Sequence, residues 1–121
     1  MTQKLICAWI SRHAPTVNQI ASLHQYEIVQ IKARRRFTDA KHAWDVAVSQ
    51  AGGKPDLLVV VLPQAWVAEF VALAHIHVPA APVLRAWMLP PDFTAWSGNW
   101  QALFLRAGQL DWYVWTPEAV R

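Results

Sequence analysis

The stretch LICAWISRHAPTVNQIASL, residues 5–23, decides how the chain is read. Its first six residues, Leu5 to Ile10, form an apolar run that stops at Ser11-Arg12-His13. Thr16 with Gln19 three residues on has the spacing of a capping box, in which each side chain accepts from the other's backbone N–H. Val17, Ile20 and Leu23 then recur at three-residue steps, a helical period. A strand buried on both faces is therefore expected over Lys4 to Ile10, and a short helix from Thr16 to His24 or Gln25. Polar side chains gather where the strand ends. In open α/β sheets that carboxyl edge is where ligands bind, and a helix N-terminus there favours anions.

The same alternation continues outward. Glu27 to Lys32 reads as a second strand, with a basic run directly after it. Thr38 or Asp39 can cap a second helix, whose apolar stripe is Ala40, Ala43, Trp44, Ala47 and Val48 and whose end is Gly52-Gly53. Leu57 to Leu62 is a continuous aliphatic run, as a parallel strand covered on both sides requires. Gln64 to His75 follows as a third helix and Ala81 to Met88 as a fourth strand, before Pro90-Pro91 breaks the pattern. Short connections between alternating elements imply an α/β fold: a Rossmann-like, doubly wound parallel sheet in βαβαβαβ order. Trp100 to Arg106 and Leu110 to Trp115 read as a C-terminal β-hairpin around Ala107-Gly108-Gln109. Both hairpin faces are apolar or aromatic, which suits packing on two sides, as in a dimer. The chain is expected to be one domain over 1–121, with its core in 1–89 and an aromatic hairpin at 96–116.

A length of 121 residues suits a single core, and 55% hydrophobic against 16% charged residues marks a globular chain. No apolar run reaches the roughly 18 residues of a membrane helix, and the first residues lack a signal-peptide layout, so no membrane contact and a cytoplasmic location are expected. The single Cys7 lies inside the first apolar run and is expected to be a buried, inert thiol. The net charge is +3, with Lys32, Arg34, Arg35 and Arg36 close together, a cluster suited to an anionic partner. Of the eight tryptophans, Trp9, Trp44 and Trp66 fit core patterns. Trp87, Trp96, Trp100, Trp112 and Trp115 crowd the last third, where some are expected to cover a partner subunit or a base.

In a parallel sheet the four strand ends share one rim. That would gather Ser11, Arg12 and His13 with Arg34, Arg35 and Arg36, with Pro63 and Gln64, and with Arg85 nearer the strand interior. Helix N-termini at Thr16 and Gln64 would point to the same place. Guanidinium groups suit phosphate because their N–H donors come in pairs. Each residue also has a plainer reading. Ser11 and Thr16 serve as caps, Arg12 and the arginine run as solvated cations, and His13 as a loop histidine. Arg85 suits an ion pair with Glu69 or Asp92.

The chain has no Walker loop and no Gly-rich dinucleotide turn, since Gly52, Gly53, Gly98 and Gly108 all lie elsewhere. No cofactor is expected. His75 and His77 would share a face of an extended segment, but no Cys or acidic residue lies near them in sequence. A closed metal site needs about four ligands, so none is expected.

The opening strand with Ser11-Arg12-His13-Ala14-Pro15-Thr16-Val17-Asn18-Gln19 resembles the start of small single-domain CRISPR-associated Rossmann-fold (CARF-like) ring nucleases. There a strand ends in Ser-His or a near variant, and a Thr-x-x-Gln helix start follows. Several of those families carry a Gly-rich turn after a later strand, where this chain has Pro63-Gln64 and Pro90-Pro91. The resemblance implies binding of cyclic oligoadenylate across a homodimer, with metal-independent cleavage in some members by attack of a ribose 2′-hydroxyl on the adjacent phosphate. It would give Arg12 and one of Arg34, Arg35 and Arg36 the phosphate, with Ser11 and Thr16 as hydrogen-bond donors. His13 would be the general acid or base, and a tryptophan would stack on adenine. Gln64 and Arg85 complete the expected ligand-binding set. The competing expectation is a non-catalytic dimeric interaction protein that uses its Trp-rich hairpin.

Overall fold

A computed structural model of the chain describes residues 4–33 and 35–117. The elements run β1 (Leu5–Ile10), α1 (Val17–Ser22), β2 (Tyr26–Gln30), α2 (Ala40–Gln50), β3 (Leu57–Val60), α3 (Gln64–His77), β4 (Val83–Leu89), β5 (Ala95–Arg106) and β6 (Gln109–Trp115). One six-stranded sheet takes the order β2-β1-β3-β4-β5-β6. The first four strands are mutually parallel, and β5 and β6 join antiparallel. The sheet is therefore mixed. The C-terminal hairpin is no appendage, because β5 bonds along β4 from Val83↔Leu103 to Leu89↔Ala95, with a register shift between Ala86 and Met88.

Each capping expectation has its counterpart in hydrogen bonds. The Gln19 N–H donates to Thr16 Oγ1 at 3.2 Å and the Thr16 N–H to Gln19 Oε1 at 3.0 Å, closing the box. Asp39 caps α2 by accepting from the His42 N–H at 2.8 Å. Helix α1 is only six residues long, and this shapes the whole molecule.

Helices α2 and α3 cover one face of the sheet, where Ala8, Ile10, Leu58 and Val60 meet Trp44, Phe70 and Val71. Of the described helices, only α1 lies over the other face. Its core is Cys7, Trp9, Leu57, Val59, Leu84, Trp100 and Trp115, with Leu23 and Tyr26 from around α1. Tryptophans fill the space that a longer helix would otherwise occupy: Trp9 lies edge-on to Trp100 at 6.1 Å, and Trp96 tilts against Trp100 at 5.0 Å. The Trp100 indole N–H donates to Ser22 Oγ at 3.0 Å and pins α1 in place. Of the five tryptophans in the last third, Trp100 and Trp115 are thus core residues, whereas Trp112 is exposed.

Candidate functional site

The site builds from the strand ends. Beyond β1 the chain turns sharply, because the buried Trp9 ring sends its N–H to the His13 carbonyl at 2.8 Å. The His13 N–H donates to Ser11 Oγ at 3.1 Å, which leaves the Ser11 hydroxyl hydrogen for another acceptor. Beyond β2, Gln50 at the end of α2 clips the start of the basic segment. Its Oε1 accepts from the Lys32 N–H at 2.7 Å, and its Nε2 donates to the Lys32 carbonyl. Beyond β3, Pro63 leads into α3 without any side-chain cap, and the first turn carries no acid.

Between these three strand ends lies a cavity of about 830 Å³. Its cations are Arg12, Lys32, Arg35 and Arg36, and Ser11 and Gln30 add neutral polar groups. Phe37 and Trp66, both half-buried, form an aromatic wall. Among the described residues no carboxylate lines it. Among the described residues the salt bridges are Lys41 with Asp45 and Arg106 with Asp111, so none of the four cations is neutralised by a carboxylate. The positive end of the α3 dipole enters at Pro63.

The geometry gathers some of the expected residues and separates others. Ser11, Arg12, Arg35 and Arg36 share the cavity wall. Arg34 lies outside the described residues. His13 and Gln64 are exposed next to wall residues but do not line it, and Thr16 is engaged in the α1 box. Only one of the two expected helix N-termini, that of α3, opens on the cavity. Arg85 points elsewhere: its Nε donates to Gln101 Oε1 at 2.9 Å across the β4–β5 pair, a neutral partner instead of Glu69 or Asp92. His75 and His77 fall in the last turn of α3, where residues two apart diverge around the helix. His77 stacks on Trp44 at 5.7 Å.

Among the wall residues, Gln30, Phe37 and Trp66 are polar or aromatic side chains that sequence reasoning did not single out for a ligand. Trp66 carried a signal, since it falls in the first turn of a helix that starts at a strand end, but its place in an apolar stripe hid it. Neither a protein-family model, nor a curated protein, nor a solved structure matches the chain.

Proposed function

We propose that this protein binds a phosphate-rich nucleotide in the cavity at the ends of β1, β2 and β3. One observation carries the reading: four cations, with no carboxylate among the described wall residues, line the same cavity as two aromatic rings. Arginine forks and the uncapped α3 N-terminus suit phosphate oxygens. Phe37 and Trp66 suit the flat face of a base, with stacking worth about 1–3 kcal/mol. A volume of about 830 Å³ is in the range of cavities that enclose a small ligand. A cyclic oligoadenylate is the specific ligand that the opening motif favours. Cleavage of that ring would form a bond from the ribose 2′-oxygen to phosphorus and break the bond to the 5′-oxygen. The proton lost from the 2′-hydroxyl would be balanced by one gained at the leaving oxygen. Among the described residues the wall offers donors for the phosphate charge but no His, Asp or Glu to move those protons, so the wall chemistry supports binding.

The test is calorimetric titration with adenosine monophosphate, linear oligoadenylate and cyclic tri-, tetra- and hexa-adenylates, in chelator, with product analysis. Arg35→Ala and Arg36→Ala should each weaken binding about tenfold, because a charge-assisted hydrogen bond is worth roughly 1.5–3 kcal/mol. Trp66→Ala should weaken it by a similar factor through lost stacking. Absence of heat and of thermal stabilisation with every one of these ligands would sink the reading.

A further inference from the structure

The two edges of the sheet are unlike. β2 is short, carries Glu27 and leads into the basic segment, features that discourage strand pairing. β6 pairs with β5 without interruption from Trp100↔Trp115 to Arg106↔Gln109, and with no other described strand. It contains no proline, lysine or bulge. Its single charge, Asp111, lies 3.5 Å from Arg106. Trp112, Tyr113 and Val114 are all exposed, and successive strand residues point to opposite faces. Trp112 rests on Trp87 at 5.3 Å, and Tyr113 tilts against Phe104 at 5.9 Å. An aromatic strip thus reaches the edge on each face, and between them runs the outer backbone of β6, which no other described strand pairs.

We propose that β6 pairs antiparallel with β6 of a second copy of this chain, joining two six-stranded sheets into one. A two-fold axis normal to the sheet produces this pairing from a single strand sequence. Opposed residues in a ladder share a face, so the axis passes through one residue that meets its own copy. Centred on Trp112, Asp111 of one copy faces Tyr113 of the other. Centred on Tyr113, Asp111 faces Trp115, and Trp112 faces Val114. Neither register opposes two carboxylates, and both bring the aromatic strips together on each face. The ligand cavity lies at β2-β1-β3, at the far side of the sheet, so each cavity in such a pair remains walled by one chain. The pairing does not depend on the ligand reading.

Light scattering with size-exclusion chromatography, run on the full chain over a range of concentrations, should give twice the 13.7 kDa chain mass. Tyr113→Glu opposes carboxylates in either register and should raise the dimer dissociation constant on the order of tenfold or more, with an unchanged circular dichroism spectrum. Of Trp112→Cys and Tyr113→Cys, the one on the axis should cross-link chain to chain on mild oxidation, since facing Cα atoms lie about 4.5–5.5 Å apart. Arg35→Ala should keep the two-chain mass, which separates loss of pairing from loss of ligand. A single-chain mass at every concentration would overturn the proposal and leave the edge to a foreign strand. A dimer untouched by Tyr113→Glu, or failure of both cysteines to cross-link, would overturn it as well.

Discussion

Trp9 shows how one residue serves both packing and position. Its ring is buried against Trp100, while its N–H crosses to the His13 carbonyl and sets the turn that carries Arg12. Trp9→Phe keeps a ring but removes that donor. It should cost about 1 kcal/mol of stability and loosen the Arg12 turn, so that ligand affinity falls without loss of the fold; a denaturant midpoint and a titration check both. Its neighbour Cys7 is fully buried, and burial pushes its thiol from the ordinary 9.0 up to about 12. A thiol reagent should therefore leave the native protein untouched at neutral pH and react on unfolding. The unfolded thiol ionises near 9 while the folded one keeps its proton to about 12, so this contribution to stability is whole below pH 9 and is lost as pH rises to 12. Burial raises Tyr26 too, with the same sign. Cys7→Ala should flatten part of the alkaline decline in unfolding free energy.

At the scale of elements, small polar side chains decide where segments stop and how they are held. Thr16→Ala opens the α1 box and should destabilise the protein by about 1 kcal/mol in urea unfolding. The cost falls on a helix that covers a sheet face almost alone, so mobility around Leu23 and Trp100 should rise with it, readable as faster amide exchange. The Gln50 side chain hydrogen-bonds the Lys32 backbone and so anchors the segment bearing Arg35 and Arg36. Gln50→Ala should weaken nucleotide binding severalfold while Gln50→Glu, which keeps one acceptor for the Lys32 N–H, loses less. Equal affinity in all three proteins would remove Gln50 from this role.

Across the whole molecule, charge is uneven. Four cations with no carboxylate partner among the described residues crowd one rim of a sheet whose opposite edge is aromatic. A small nucleotide, which carries no condensed counterion atmosphere, should lose affinity only gently with salt, whereas a long single strand should lose it at about −0.7 per phosphate contact in log–log slope. A salt titration with oligoadenylate and with long single-stranded nucleic acid therefore separates a nucleotide site from general nucleic-acid affinity. None of the described helices is long and apolar enough to cross a membrane.

Sequence alone was enough for the alternation of strands and helices up to β4, the capping of α1 and α2 and the hairpin after the double proline, because periodicity, caps and breakers act within a few residues. It also marked Arg12, Arg35 and Arg36 as cations at strand ends. Only tertiary structure decided that β5 and β6 complete the same sheet, that Trp100 and Trp115 fill the face α1 is too short to cover, and that Arg85 turns to Gln101 instead of the rim. Those outcomes depend on strand order and on which face each side chain meets. Such relations join residues far apart in the chain, and no local pattern carries them.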